Sequence, residues 1–284
     1  MPKLASALLR LVYRLSLKKL IHYICRVKHC SPAIPPQKDP YKKEITMLMR
    51  LDKYLCSCGT GTRTEVKKII KSKRVKVNNK IIDISDFKVD ETMIVTLDNK
   101  VIEYNKYTYI MLNKPAGYLS ATRDNNKDTV IDLLEEKYRN MGLFPAGRLD
   151  RDTVGLVILT NDGDFAHNTL SPKKHVSKTY IAHIEGILPP DACEIFNKGV
   201  ILKDFTCESA DLIIEETHND YTVVRVTIHE GKYHQIKRMF LSLGCKVIYL
   251  KRISFGPIKL DNKLKEGEYR LLDPKEMEFV KAVR

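Results

Sequence analysis

Hydrophobic residues along this chain follow two periods, one typical of helices and one typical of strands. An apolar stripe at helical spacing stops at Gly59, which predicts a short amphipathic helix. A second helix is predicted next, because Thr62 and Glu65 form a capping box ahead of another stripe. The two stripes consist of Leu51, Tyr54 and Leu55, then of Val66, Ile69 and Ile70. Val75 and Val77 alternate with basic residues before Asn78-Asn79, which predicts a hairpin.

The rest of the chain is richer in strand patterns. Residues 107–112 and 154–159 are apolar runs, and residues 222–228 alternate as in a half-buried strand. Residues 129–134 indicate the start of a short helix. A longer helix is predicted where four apolar residues recur at helical spacing before Gly244. These four are Ile236, Met239, Phe240 and Leu243. Helices and strands in this arrangement predict an α+β protein.

Positive charge is concentrated in the first third of the 284 residues. The formal net charge is +14, yet residues 1–48 hold ten basic and two acidic residues, and residues 49–95 hold eleven and six. The remainder is nearly neutral. This asymmetry is typical of a polyanion-binding module attached to a body with another task. An anionic membrane surface would attract the same charge, so charge alone leaves the partner open.

The seven cysteines are odd in number and lack the spacing of a disulfide framework, which favours a reducing intracellular compartment. Cys56 and Cys58 form a CxC pair without a second pair, so a zinc site is not expected. No stretch has the apolar length of a membrane span.

The first 48 residues allow three interpretations. Leucines at helical spacing and a basic row, with no acidic residue before Asp39, fit an organelle-targeting presequence. They equally fit a basic arm that touches RNA or a membrane surface. The third interpretation is an over-extended reading frame, with synthesis starting at Met47 or Met49. Residues 31–40 have the composition of a linker.

The stretch GRLDRDTVGLVILTNDG, residues 147–163, places four charged residues directly before a buried strand. These are Arg148, Asp150, Arg151 and Asp152. Charges at this position are usually the solvated end of the strand. A carboxylate at the end of a rigid strand is also suited to chemistry, because its position is fixed and it is partly desolvated.

This stretch resembles the active-site motif of the pseudouridine synthases, in particular the ribosomal RNA enzymes of the RsuA family. KPAG at residues 114–117 and EGKYHQIKRM at residues 230–239 resemble two further motifs of that family. The resemblance extends from Met49 to the C-terminus, and we therefore favour the over-extended reading frame. It implies an S4-like RNA-binding domain at residues 49–95 and a catalytic domain at residues 104–284. That catalytic domain would have a mixed, mostly antiparallel β-sheet with flanking helices.

The resemblance also assigns the catalytic positions. Asp150 matches the catalytic carboxylate, Tyr180 the tyrosine that packs on the target uracil, and Lys237 the basic partner of the carboxylate. Many relatives have arginine at the last position, and lysine cannot make the bidentate contact. Asp152 is expected to have a structural role in the loop, as are the histidines His229 and His234.

RNA contacts are expected mainly from the front module. By resemblance, Arg148 would fill the gap left by a flipped uridine. The other expected RNA-binding residues are Arg50, Arg63, Lys67, Lys71, Arg74, Lys173 and Lys174.

The implied function is isomerisation of one uridine in ribosomal RNA, with the pattern most like the small-subunit enzyme. Because isomerisation needs no redox partner and the sequence lacks GxGxxG and Walker loops, we expect no cofactor and no metal. The expected partner is ribosomal RNA or an assembling ribosomal subunit. We expect the protein to be a monomer in the cytoplasm, or in an organelle if residues 1–48 are a presequence. A large-subunit enzyme and a non-catalytic S4-type assembly factor are the alternatives.

Overall fold

The computed structural model of the chain describes residues 48–171 and 174–284. The predictions for residues 1–47, including the basic helix and the linker, lie outside the described residues. Lys173 also lies outside them.

The front of the described chain is a small helix-and-hairpin unit. Its elements are β1 (Met49–Arg50), α1 (Leu51–Ser57), α2 (Arg63–Lys71), β2 (Val75–Val77), β3 (Lys80–Ile81), β4 (Lys88–Val89), β5 (Val95–Leu97) and β6 (Lys100–Val101). The predicted capping box is present, since Thr62 accepts from the Glu65 backbone and Glu65 accepts from the Thr62 backbone. Strand β2 pairs with β3 and β5, and β5 pairs with β6. The small sheet therefore continues beyond residue 95.

The hairpin prediction is confirmed at Asn78 and Asn79, which both adopt left-handed backbone angles, with φ of 48° and 65°. Asparagine tolerates this conformation better than most residues, so the turn forms without glycine. The stripes of both predicted helices, except half-buried Ile69, are buried in one core beneath this sheet.

The larger part of the chain is built on one mixed sheet. Its strands are β7 (Tyr109–Lys114), β8 (Phe144–Pro145), β9 (Val154–Thr160), β10 (Lys178–Glu185), β11 (Asp211–Thr217), β12 (Thr222–Ile228), β13 (Lys246–Phe255), β14 (Ile258–Lys259) and β15 (Tyr269–Leu271). Its helices are α3 (Glu136–Arg139), α4 (Gly163–Leu170), α5 (Ala192–Lys198), α6 (Gln235–Ser242) and α7 (Pro274–Val283). The strand order is β11-β12-β10-β13-β9-β7-β15, and only the β9–β13 pair is parallel. The predicted mostly antiparallel sheet is confirmed.

Strand β9 is buried along its whole length, as its unbroken apolar run predicts. Successive side chains point to opposite faces of the sheet. Val157 and Leu159 enter one hydrophobic core with α5 and α6, whereas Leu156 and Ile158 enter a second core with α4 and α7. Because both faces of β9 are covered, the strand is a rigid support for the loop that precedes it.

Gly155 allows β9 and β13 to approach closely. It pairs with Arg252 in the parallel ladder and has φ of +100°. A Cβ at this position would collide with the backbone carbonyl oxygen of Arg252. Any larger residue would therefore displace the start of β9, five residues after Asp150.

Two local predictions differ from the structure. Residues 130–133 form turns rather than a helix, because Asp132 accepts hydrogen bonds from both the backbone and the hydroxyl of Thr129. Strand β7 begins at Tyr109, two residues later than predicted, because the Thr108 amide donates to the Asn161 side chain instead of a strand partner. Among the helices of the described residues, none has the length and apolar character needed to cross a membrane.

Candidate active site

The backbone around Asp150 is fixed on both sides. The buried hydroxyl of Ser120 donates to the Leu149 carbonyl and accepts from the Leu149 amide, both at 3.1 Å. On the other side, the Thr153 amide donates to the Asp150 carbonyl at 3.2 Å and closes a turn. Asp150 therefore projects from a short, hydrogen-bonded loop just before β9.

Lys114, the lysine of KPAG, holds the far end of this loop. Its side chain is fully buried. Its amine donates to the carbonyl oxygens of Pro115 (3.0 Å), Arg151 (3.1 Å) and Thr153 (2.8 Å). Burial lowers the pKa of Lys114 to about 8, although the carboxylates of Asp152 and Asp150 oppose the shift. In the sequence this lysine stands out only as part of a family motif; the structure shows an ammonium group supporting the loop.

The amine of Lys237 contacts two carboxylates of this loop. It lies 3.1 Å from Asp150 Oδ2 and 2.6 Å from Asp152 Oδ1. Lys237 is the third residue of α6, so the ion pairs join this helix to the end of β9. The Asp150 and Lys237 side chains are about one quarter exposed, whereas that of Asp152 is 73% exposed. The pair inferred from resemblance is thus in contact, and Asp152 joins it unexpectedly.

The ion pair between Lys237 and Asp152 shifts the pKa of both groups. Burial alone would lower the pKa of Lys237, but hydrogen bonds to Asp152 and Asp150 outweigh burial and raise it. Burial would likewise raise the pKa of Asp152, but the hydrogen bond from Lys237 lowers it. Lys237 and Asp152 are therefore both charged at neutral pH.

Tyr180 shares a cavity of about 70 Å³ with Asp150 and Lys237. The tyrosine is 7% exposed and belongs to β10, where the register against β13 shifts between Thr179 and Tyr180. Such bulges often re-aim a side chain beside a functional site. The cavity is also lined by Arg148, Leu149, Thr153, Ile228, Gly231, Lys232, His234, Gln235, Ile236 and Leu250. All three predicted catalytic positions therefore line a single cavity.

His234 also belongs to this site, although the sequence indicated only a structural role. Its Nε2 lies 3.5 Å from Asp150 Oδ1, and its ring stacks on that of Tyr233. It precedes α6 in a left-handed conformation, with φ of 49° and ψ of 31°. No periodicity in the sequence signals this conformation, which turns the imidazole towards the carboxylate.

His229, in contrast, lies outside the cavity lining, and its Nδ1 is 3.2 Å from the carbonyl oxygen of His175. Within residues 48–171 and 174–284, no group of three or more His, Cys, Asp or Glu side chains is arranged to hold a metal ion.

Within residues 49–95, the basic residues expected to bind RNA fall into two groups. Arg50 forms a two-point ion pair with Asp52 (3.0 and 2.8 Å), and Arg74 forms another with Asp98 (2.9 and 2.5 Å). Their charges are largely neutralised within the protein. The second group consists of Arg63, Lys67 and Lys71, which are exposed at four-residue intervals along α2 and form no ion pair in the described part of the chain. This row is the stronger candidate for phosphate contacts.

In the larger part of the chain, Arg148 and Lys174 are exposed, and Arg148 also lines the cavity. Among the described residues that are expected to bind RNA, Arg148 is therefore the one that lines the cavity with Asp150.

Comparison with known proteins agrees with this geometry. Residues 49–95 match the model of the S4 domain, and residues 108–242 match that of the RNA pseudouridylate synthases. An uncharacterized RNA pseudouridine synthase of Bacillus subtilis is 42% identical over 82% of this chain and 98% of its own length. The ribosomal small subunit pseudouridine synthase A of Escherichia coli is 39% identical over 82% of this chain and its whole length.

A solved structure supports the fold directly. A crystal structure of a pseudouridylate synthase, 35% identical in sequence, covers 82% of this chain and 99% of its own with a TM-score of 0.56. The matched regions include the S4 domain, the loop of Asp150, the strand of Tyr180 and the helix of Lys237. This chain belongs to the RNA pseudouridylate synthase family, in the RsuA branch that carries an S4 domain.

Proposed function

We propose that this protein converts one uridine of small-subunit ribosomal RNA to pseudouridine, with Asp150 as the catalytic carboxylate. The observation that carries this proposal is the contact of Asp150 with Lys237 inside the cavity that Tyr180 lines. A carboxylate that is partly desolvated, paired with a cation and close to an aromatic ring suits a reaction on a flipped base.

The reaction leaves the atomic composition of the nucleotide unchanged. The N1–C1′ bond breaks, the uracil turns within the cavity, and C5 forms a new bond to C1′. The proton on C5 is lost to a base and N1 gains a proton, so there is no net oxidation or reduction. Asp150 has two possible routes, namely covalent addition to the sugar or base, or removal of the C2′ proton to give a glycal.

The neighbours of Asp150 have distinct roles in this proposal. Lys237 fixes the direction of the carboxylate, because its ammonium lies 3.1 Å from Asp150 Oδ2. Tyr180 stacks on the uracil and accepts the C5 proton. Arg148, exposed at the cavity, occupies the space that the flipped uridine leaves in the RNA.

The assignment of substrate and organisation rests on the relatives and on charge. Several relatives are named small subunit enzymes, from Vibrio species and Escherichia coli. We propose that residues 49–95 anchor the RNA and that residues 104–284 carry the chemistry. We further propose that the protein acts as a monomer in the cytoplasm, on ribosomal RNA or an assembling subunit.

The test is release of tritium from RNA labelled at uracil C5, because forming the new bond expels that hydrogen. Small- and large-subunit RNA and assembling small subunits are incubated separately with the full-length protein, and the modified position is then mapped. We expect release from a small-subunit substrate at one position. Release only from large-subunit RNA would contradict the substrate assignment, and binding without release from any of them would favour an assembly factor.

A further inference from the structure

Tyr233 differs from every other aromatic residue in the described part of the chain. Its side chain is 77% exposed, whereas the remaining Phe and Tyr rings there are buried or half-buried. Burial of a ring of this size is favourable, so a single exposed ring beside a functional cavity suggests a binding contact. Its two chain neighbours, Lys232 and His234, both line the cavity that contains Asp150.

The loop that carries Tyr233 is fixed by a buried polar network. Gln235 and Glu230 are 4% and 7% exposed, and the Gln235 amide donates to Glu230 Oε1 at 2.6 Å. The Lys232 amide in turn donates to Gln235 Oε1 at 3.0 Å. Both ends of the loop are therefore joined, and its exposed tip is held in place.

His234 supports one face of the Tyr233 ring. The two ring centres are 3.8 Å apart and the planes are inclined by 17°. The imidazole also lies 3.5 Å from Asp150 Oδ1, so its position is defined from two sides. Because one face of the tyrosine is covered and the side chain remains mostly exposed, its opposite face is open to solvent.

We infer that Tyr233, backed by His234, is a stacking platform for an unpaired RNA base adjacent to the uridine that is isomerised. This inference rests on the proposed function and adds a substrate contact to it. Aromatic side chains stack on bases regardless of sequence. When a nucleotide flips out, its neighbours lose a stacking partner, and a fixed ring beside the cavity replaces it.

The test uses the shortest ribosomal RNA fragment that the full-length protein modifies, with 2-aminopurine beside the target uridine. Tyr233→Leu removes the ring and Tyr233→Phe keeps it. Leu241→Ala is the control, because Leu241 is 68% exposed on α6 but is absent from the cavity lining.

We expect Tyr233→Leu to raise KM and weaken binding by about 5- to 150-fold, with a smaller change in kcat. For Tyr233→Phe and the control, KM and binding affinity should stay within about twofold of the wild-type values. Such a change is well below the effect of losing one stacking contact.

Fluorescence distinguishes stacking from a structural role. The 2-aminopurine emission should fall when wild type or Tyr233→Phe binds, and the fall should disappear with Tyr233→Leu. His234→Gly, which retains the left-handed backbone, should reduce the same quenching, because the tyrosine loses its support. Unchanged thermal unfolding of each variant excludes a general loss of structure.

A second arm separates failure of this inference from failure of the proposed function. Oligouridine containing one 2-aminopurine measures binding alone and needs no turnover. Wild-type turnover together with unaltered KM and quenching in Tyr233→Leu would overturn the platform and leave the isomerase intact. If no fragment is turned over, the isomerase proposal fails, and Tyr233-dependent quenching by oligouridine decides whether the stacking contact exists. A Tyr233→Leu variant that lost only binding to ribosomal proteins would refute an RNA platform.

Discussion

Lys114 donates a 2.8 Å hydrogen bond to the backbone carbonyl of Thr153, although its side chain is fully buried. A buried ammonium is normally unfavourable unless its donors are satisfied. Here three carbonyl oxygens satisfy it, and two of them belong to the loop that presents Asp150. The arrangement uses a costly buried charge to fix the geometry of a loop.

Replacing Lys114 should therefore affect stability and activity together. Lys114→Met leaves three carbonyl groups without their donor and should lower the free energy of unfolding by about 2–4 kcal/mol. Chemical denaturation measures this change. The matched control is Lys127→Met in an exposed loop, which should be neutral within about 0.5 kcal/mol. Equal stability of the two variants would show that Lys114 does not support the loop.

Activity should decline as the pH rises through about 8. The pKa of Lys114 is lowered to about 8, so its ammonium loses a proton there, together with one hydrogen-bond donor. The pKa of Lys237 is raised above its ordinary value of 10.5, so this lysine stays charged throughout. Burial also lowers the pKa of Lys178 to about 8.

A pH–rate profile of kcat between pH 6 and 10 checks this prediction. The alkaline decline should persist in Lys178→Met and should be absent from the residual activity of Lys114→Met. A decline that persists in Lys114→Met and disappears in Lys178→Met would show that Lys178, rather than Lys114, is the titrating group.

The two carboxylates that share Lys237 should differ in importance. Lys237→Met removes the cation beside Asp150 and should lower kcat by at least about 100-fold, with Lys237→Arg restoring part of it. Asp152→Asn should cost less than about fivefold, because this side chain is 73% exposed and water can replace its contact. Single-turnover rates measure both effects. If Asp152→Asn is as damaging as Lys237→Met, Asp152 takes part in the chemistry and its structural assignment is wrong.

The basic row on α2 should determine the salt dependence of RNA binding. Lys67→Gln with Lys71→Gln removes two charges and should reduce the slope of log K against log salt by about 1.4. The control is Lys198→Gln with Lys281→Gln, which removes the same charge from α5 and α7. Titrations of RNA binding at several salt concentrations measure this slope for each variant. Equal slopes for the two double variants would show that α2 does not contact phosphates.

Patterns that depend on local physics were predictable from the sequence. The capping box of Thr62, the alternating strand β12 and the fully buried strand β9 all formed as predicted. The contact between Asp150 and Lys237 joins residues far apart in the chain, and only the family resemblance indicated it. The S4 and synthase assignments came from the same resemblance and are confirmed.

Other features depend on tertiary contacts that no spacing reveals. The left-handed conformation of His234 brings its ring to Asp150, and the direct pairing of Asp152 with Lys237 follows from the position of α6. Polar side chains that compete for backbone groups explain the local errors near Thr129 and Thr108. Such competition is decided by neighbours in space.

The most direct test of the central claim is tritium release by Asp150→Asn, measured beside wild type on the same C5-labelled ribosomal RNA. The substitution keeps the size of the side chain, and Lys237 retains Asp152 as a partner. We therefore expect the variant to fold and to bind RNA as wild type does. Its release should fall by at least about 1,000-fold, because an amide can neither add to the sugar or base nor take the C2′ proton. Release at the wild-type rate would contradict the assignment of Asp150 as the catalytic carboxylate.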